Sequence, residues 1–221
     1  MRRFLRIIFF CAFLSVLSSP GLGTAYSGVI EAPEGFTSSD YGANLIPDGE
    51  GTYTLELEGG IKGTLDDVLL SLGMSDLSLI TGYLNIPSNI TYIGDSLLEL
   101  SGISVLDLSD ASSLSDTAID FSGTSITEII MGEDTAANLM ELTITGSKAE
   151  KLTASNSNLT VLNIAGSSIR ELELNNTYLE SLNLSGCSYL TTLQAEGPDD
   201  NLRGIKELNL SGCNALSSID V

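Results

Sequence analysis

The chain has 221 residues, of which 43% are hydrophobic, and 29 acidic against nine basic residues give a net charge of −20. This hydrophobic content is enough to bury a core and excludes a disordered chain. The acidic excess argues against binding to nucleic acids or anionic membranes, because both interactions need Lys and Arg to neutralise phosphates. Histidine is absent, which excludes Ser-His-Asp and Cys-His catalytic arrangements and His-ligated zinc.

The N-terminus predicts a cleavable signal peptide over residues 1–25. Three arginines precede an apolar run from Ile7 to Leu17, and small residues lead up to Ala25. The run is about half the roughly 20 residues that span a bilayer, so a permanent anchor is the weaker alternative. Cleavage would remove three of the nine basic residues and no acidic residue, leaving six against 29 and a net charge of −23. We therefore expect a secreted or cell-surface protein without membrane insertion.

Two segments precede the repeats described below. Residues 26–51 are rich in Gly, Ser and acids and predict a flexible lead. Residues 52–80 predict an N-terminal cap, in which an alternating strand is followed by a helix that Thr64 and Asp67 begin with a capping box. The apolar face of this helix is formed by Leu65, Val68, Leu69 and Leu72. Such a strand-helix unit can cover the first apolar layer of a stacked array.

A short unit recurs from Ile103 onward. Counted from the first residue of the unit, positions 1, 4 and 6 are apolar and position 9 is a small residue. The units open at residues 103, 116, 126, 139, 149, 159, 169, 179, 190, 205 and 216, most often 10 residues apart. Two apolar residues around a polar one predict a strand, and the following Gly, Ser and Asn predict a turn. One unit is too short for a strand and a helix, so we expect two units to form one coil of about 20 to 23 residues.

The copies at 179–187 and 205–213, which share Leu-Asn-Leu-Ser-Gly-Cys, resemble the leucine-rich-repeat consensus. Residues 84–98, Leu-Asn-Ile-Pro-Ser-Asn-Ile-Thr-Tyr-Ile-Gly-Asp-Ser-Leu-Leu, resemble the repeat of BspA-like bacterial surface proteins. The resemblance covers residues 81–221 and implies an α/β repeat fold that is mostly β, a leucine-rich-repeat solenoid with short parallel strands. It also implies adhesion to a protein. Residues 103–160 match more loosely, with core positions taken by Phe121, Met131 and Ala154.

The lengthened units provide a first candidate binding surface. The units opening at residues 103, 126 and 190 have 13, 13 and 15 residues and belong to the same alternating half of the coil. Their extra residues should emerge along one edge, and such insertions often mark a binding side. This acidic edge contains Asp110, Glu133, Asp134, Glu196, Asp199 and Asp200. It could contact a basic partner or hold Ca²⁺ through carboxylate oxygens, and the alternative is a set of solvated turns.

A second candidate is an outward row on the strands of the other half of the coil. It contains Asp120, Thr143, Asn163, Asn183 and Asn209, and beside it run Glu141, Val161, Ser181 and Glu207. Stacked polar side chains on a broad face can recognise a protein or a glycan. The absence of an aromatic platform weakens the glycan hypothesis, and a solvated sheet is the alternative. The sequence does not decide which strand face is concave.

Cys187 and Cys213 occupy the same position in successive coils. Stacking would place them about 4.8 Å apart, at which distance a disulfide is sterically conceivable. The consensus turns this position inward, where a free cysteine behaves as a small hydrophobe. We therefore expect two buried thiols, with a disulfide as the alternative.

The sequence as a whole predicts a non-enzymatic, exported interaction module that binds a protein partner and needs no cofactor. A structural stalk of a longer surface protein is the alternative. A carbohydrate-active β-solenoid enzyme is less favoured, because the six remaining basic residues are scattered. The sequence stops partway through a repeat, so we expect either a truncated piece of a longer protein or self-association through an uncapped C-terminal edge.

Overall fold

The computed structural model describes residues 37–38, 42–60, 62–132, 135, 138–195, 197 and 204–220. It consists mostly of short parallel strands with few helices, in agreement with the expected α/β class that is mostly β. The signal peptide predicted over residues 1–25 lies outside the described residues. None of the helices among the described residues could span a lipid bilayer.

Three short antiparallel strands come first, and they are β1 (Thr37–Ser38), β2 (Ala43–Pro47) and β3 (Tyr53–Leu57). Strands β2 and β3 form a hairpin that buries Ala43, Leu45, Leu55 and Leu57. Asp48 closes its turn by accepting hydrogen bonds from the backbone N–H groups of Glu50 and Thr52. Residues 43–47, which fall in the expected flexible lead, form β2 and pair with β3 along their whole length.

Strand β4 (Gly63–Thr64) leads directly into helix α1 (Leu65–Leu72). The expected capping box is present, since the Thr64 hydroxyl accepts from the Asp67 backbone N–H and the Asp67 carboxylate accepts from the Thr64 backbone N–H. Gly73 ends the helix with a φ of 67°, a left-handed conformation that glycine adopts without strain. The expected apolar face of α1 is buried, and the helix contacts the 3-10 helix Gly94–Glu99.

Two five-stranded parallel sheets form most of the remaining fold. The odd sheet contains β5 (Thr81–Asn85), β7 (Gly102–Asp107), β9 (Glu128–Ile130), β11 (Lys151–Thr153) and β13 (Glu171–Glu173). The even sheet contains β8 (Ala118–Asp120), β10 (Glu141–Thr143), β12 (Val161–Asn163), β14 (Ser181–Asn183) and β16 (Glu207–Asn209). From β7 to β14, successive strands alternate between these two sheets. Two further parallel pairs join β4 to β6 (Ile90–Tyr92), and β15 (Thr192–Gln194) to β17 (Ser218–Asp220).

Apolar residues of both sheets share one register and face a common core. In the even sheet this inward row is Ile119, Leu142, Leu162, Leu182 and Leu208. In the odd sheet it is Leu84, Leu106, Ile129, Leu152 and Leu172. All of these except Leu208 are buried in a single apolar cluster, which also contains Phe121, Met131 and Ala154 as expected. The repeat therefore identified the inward positions correctly.

Residues in the left-handed conformation allow the turns after the strands to stack. After the even strands these residues are Gly146, Gly166, Gly186 and Gly212, with φ between 60° and 80°. A Cβ atom on Gly212 would lie only 3.3 Å from the backbone of Gly186, so the turn at Gly212 leaves little room for a side chain. After two odd strands the left-handed residues are Asn156 and Asn176, and the Asn176 amide donates to the Asn156 side-chain oxygen at 2.7 Å.

Asp116 is an exception to the apolar pattern of the repeat unit. It occupies the opening position of its unit, where an apolar residue is expected, and is only 4% exposed. Its carboxylate accepts hydrogen bonds from the backbone N–H groups of Ile93 at 3.0 Å and Gly94 at 3.2 Å. The prediction of an apolar residue is wrong at this position, because a buried carboxylate is needed there to accept hydrogen bonds from the backbone at the start of the neighbouring 3-10 helix.

The burial of the inward row gives a prediction about stability. Leu182→Ala should lower the free energy of unfolding by about 2–5 kcal/mol, because it leaves a cavity between stacked strands. Leu208 is paired with Leu182 in the next strand but is 39% exposed, so Leu208→Ala should cost less than about 1.5 kcal/mol. Urea denaturation followed by circular dichroism measures both values. Equal losses would contradict the claim that stacking buries the row.

Two buried serines that close their units differ in hydrogen bonding. The Ser167 hydroxyl donates to the Ile164 carbonyl at 2.7 Å, whereas the Ser157 hydroxyl has no partner among the described residues. We predict that Ser157→Ala leaves the free energy of unfolding unchanged or raises it, because a buried polar group without a partner is destabilising. Ser167→Ala should lower it by about 1 kcal/mol. Similar losses in the two variants, measured by the same denaturation, would disprove this difference.

Candidate functional site

The even sheet brings the predicted outward row together. Its members occupy one register position in adjacent parallel strands, in the order Asp120, Thr143, Asn163, Asn183 and Asn209. A second outward row runs beside it and contains Ala118, Glu141, Val161, Ser181 and Glu207. All of these side chains are exposed or half-buried. The geometry of the row is therefore the one expected, while its role in binding stays a prediction.

Most side chains of this row also hold the turns that end the strands. The Oδ1 atom accepts a hydrogen bond from the backbone N–H two residues further on, at 2.8, 3.4, 3.1 and 3.1 Å, in Asp120, Asn163, Asn183 and Asn209. This pattern is an Asx turn, in which a side chain replaces a backbone acceptor. The folding of the turns alone therefore accounts for the Asp and Asn residues here, which supports the solvated-sheet alternative.

The predicted acidic edge can be placed only at Asp110. The other five members, Glu133, Asp134, Glu196, Asp199 and Asp200, lie outside the described residues. Asp110 follows β7 and accepts a hydrogen bond from the side-chain amide of Asn85 at 3.3 Å. With Pro87, Ser88 and Ser112 it lines a shallow, open depression. In the part of the chain that the structure describes, no group of three or more His, Cys, Asp or Glu residues could hold a metal ion.

A polar network that the sequence did not reveal lies beside Asp110, at the ends of β5 and β7. The phenol of Tyr83 donates a hydrogen bond to the Asp107 carboxylate. Asp107 also accepts from the backbone N–H of Ser109 at 2.9 Å, and Asn85 joins the network through its bond to Asp110. Tyr83 is 47% exposed, so its ring stands at the surface while the hydroxyl restricts its orientation.

The network shifts two pKa values in opposite directions. Partial burial, followed by the hydrogen bond and the charge of Asp107, raises the pKa of Tyr83 to about 12. Partial burial also disfavours ionisation of Asp107, but the hydrogen bonds from Tyr83, Ser109 and Asn85 together outweigh it and lower the pKa of this carboxyl. At neutral pH an uncharged phenol donor therefore lies against an ionised carboxylate.

The outer face of the odd sheet, which we call the odd face, combines acidic and apolar side chains. One of its rows is Tyr83, Val105, Glu128, Lys151 and Glu171, and the other is Asn85, Asp107, Ile130, Thr153 and Glu173. Lys151 is the one basic member of the two rows, and its ammonium lies 2.9 Å from the Glu128 carboxylate. A hydrogen bond to Glu128 raises the pKa of Lys151. Four carboxylates and one ammonium leave the odd face with a net negative charge.

The sequence does not predict the Tyr83 network, because Tyr83 and Asp107 are diagonal neighbours on β5 and β7. The register between β5 and β7 shifts between Gly82 and Tyr83, so that Tyr83 lies opposite Val105 and Asn85 lies opposite Asp107. The available signal is that these residues flank the inward leucines of two successive strands. A search for polar residues on both sides of each inward position would have found the network.

Cys187 and Cys213 are free thiols, as expected. The Cys187 thiol donates to the Ile164 carbonyl at 3.2 Å and the Cys213 thiol donates to the Leu184 carbonyl at 3.0 Å, so each binds the preceding turn. Burial raises the pKa of both thiols, which disfavours the reactive thiolate. The expectation of burial is confirmed for Cys187 but is wrong for Cys213, which is half-buried.

Comparison with known proteins gives no assignment. The chain matches no protein-family model, no curated protein and no solved structure. The similarity to leucine-rich repeats and to BspA-like proteins therefore depends on the repeat residues alone and stays a prediction. A functional hypothesis has to start from the two outer sheet faces and from the N-terminal sequence.

The lowered pKa of Asp107 gives a prediction about acid stability. A carboxyl with a lower pKa in the folded than in the unfolded chain stabilises the fold above its unfolded pKa, and this contribution disappears as the pH falls through the folded pKa. Between about pH 6 and about pH 3, the wild-type protein should therefore lose more stability than Asp107→Asn. Urea midpoints across this range measure the effect.

Glu141→Gln is a suitable control for this measurement, because it removes one exposed carboxylate from β10, a strand of the other sheet. Parallel pH profiles for the wild type and Asp107→Asn would contradict the prediction.

Proposed function

We propose that the chain is the leucine-rich-repeat solenoid of an exported surface protein and binds a protein partner on the outside of one of its sheets. The observation that carries this proposal is the parallel, in-register pairing of repeat units, such as that of Glu141 with Val161 and of Val161 with Ser181. In a solenoid of this kind, two short units make one coil of about 20 residues. The middle residue of each strand then points into the core and its two neighbours point outward.

This arrangement favours binding to another protein over binding to a small molecule. Parallel stacking turns a repeat in sequence into straight rows of outward side chains at about 4.8 Å spacing. Backbone hydrogen bonds fix these rows, so that a partner can bind with little loss of conformational entropy. Small ligands instead prefer concave, mostly apolar pockets, whereas the depression beside Asp110 is shallow and open.

Export is supported by the N-terminal sequence, in which arginines, an apolar run and a small-residue segment follow one another up to Ala25. The large acidic excess suits a soluble surface protein that avoids nucleic acid. The similarity to BspA-like proteins makes adhesion to host or microbial proteins the expected class of binding. A stalk that spaces another domain from the cell envelope is the competing hypothesis.

Secretion of the full chain from a bacterial host, followed by binding of the secreted product, tests both parts of the proposal. Mass spectrometry should find a product that begins at Tyr26, because signal peptidase cleaves after small residues. This product should bind at least one immobilised extracellular-matrix protein, among fibronectin, laminin and collagen, with a Kd between about 1 nM and about 1 μM.

Two results would contradict the proposal. Retention of an intact N-terminus in the cytoplasm would disprove export. A secreted, folded product that binds none of the three matrix proteins would favour the stalk over the adhesion module. Serum albumin immobilised at the same density serves as the control surface, since an adhesion module should not bind it.

A further inference from the structure

On the basis of the protein-binding role proposed above, we infer that the odd face is the docking surface and that its partner is an extended basic segment of another protein. The surface runs across five parallel strands, from Tyr83 on β5 to Glu173 on β13. Its charge, its exposed tyrosine and the spacing of its carboxylates together define the partner.

Charge complementarity is the first argument. Lys151 is already paired with Glu128 at 2.9 Å, so this pair contributes little to the attraction of a partner. The remaining carboxylates form two groups at opposite ends of the face. Asp107 and the adjacent Asp110 lie at one end, and Glu171 and Glu173, both exposed, lie at the other. A segment that carries positive charge at both ends matches this distribution.

Tyr83 provides a contact of a different kind. Its ring is half exposed and is oriented by the hydrogen bond from its hydroxyl to Asp107. A guanidinium group can stack on such a ring while its N–H groups donate to the neighbouring carboxylate. Arginine fits this end of the face better than lysine, because its flat group can stack and donate at the same time.

The even sheet offers a weaker match to the same partner. Its outer rows carry Asp120, Glu141 and Glu207, each on a separate strand among neutral side chains. The five strands of this sheet contain no aromatic residue. Four of the five side chains in its candidate row already accept hydrogen bonds from turns. Asp107 on the odd face is occupied in the same way by Ser109, so the two faces differ in charge distribution and in aromatic contact.

Strand spacing determines how far apart the two basic groups of the partner must be. Strands β7 and β13 are separated by β9 and β11, which corresponds to roughly 14 Å at about 4.8 Å per strand. An extended peptide crosses this distance in about four residues at roughly 3.4 Å each. Lys151 on β11 disfavours a basic residue in the middle of the partner segment. The half-buried Ile130 provides an apolar contact for this middle part. The odd face thus fits two arginines separated by three uncharged residues.

The probe for this inference is a fluorescein-labelled peptide of about ten residues with two arginines separated by three uncharged residues. A second peptide of the same composition has its two arginines adjacent. Fluorescence anisotropy with the purified chain at low ionic strength should show that the spaced peptide binds at least about fivefold more tightly, because only this peptide reaches both acid groups. Added salt should weaken the binding.

Three variants locate the peptide on the protein. Glu171→Gln/Glu173→Gln removes one acid group, and Tyr83→Ala removes the ring. Each should weaken binding of the spaced peptide at least about fivefold. The matched control is Glu141→Gln/Glu207→Gln, which removes two exposed charges from the even sheet and should leave the affinity unchanged. Glu171, Glu173 and Tyr83 are exposed, so circular dichroism should confirm an intact fold.

Several results would overturn the docking surface. These are no measurable binding, equal affinity for the two peptides, or equal loss in the control and in Glu171→Gln/Glu173→Gln. Loss of binding in Glu141→Gln/Glu207→Gln alone would assign the peptide to the even sheet and would also overturn it. None of these results affects secretion or the capture of matrix proteins, so failure of the docking surface is distinguishable from failure of the protein-binding role.

Discussion

Hydrogen bonds between parallel strands about 20 residues apart in sequence are the constraint on which the fold depends. They require successive turns to have the same shape, and left-handed residues such as Gly186 and Asn176 provide it. Hydroxyl groups beside the strands strengthen the stacking, since Thr127 donates to the Ser104 carbonyl at 3.0 Å and Thr160 donates to the Met140 carbonyl at 3.2 Å. The two inward rows, which consist of Leu and Ile, then align without aromatic side chains.

The sequence predicted the parts of the fold that depend on a regular repeat or on residues close together in the chain. Leu142, Leu162 and Leu182 recur with a constant spacing, and this alone identifies an inward position and a strand. The capping box of α1 was readable because its two residues are only three apart. In contrast, β2 depends on antiparallel pairing with β3, and the buried Asp116 depends on backbone donors of a neighbouring turn. Such features arise from contacts that no local pattern encodes.

The two faces of the fold differ in how far folding restricts their residues. On the even sheet, the outward residue at the end of most strands must be Asp or Asn, since its side chain holds the following turn. On the odd sheet the corresponding positions include Ile130, Thr153 and Glu173, so the side chain at this position is not fixed by one structural role. The candidate site could be predicted as two outward rows, but the difference between them required the hydrogen bonds of the turns.

The stacking of the turns also determines how such a surface changes during evolution. Each strand pairs with the strands on either side of it in its sheet, so an added strand brings another pair of outward residues to that face and leaves the existing pairs in place. The length of the face therefore grows in discrete increments of about 4.8 Å. Recombination between repeats can alter the distance that a ligand must bridge without redesigning the core.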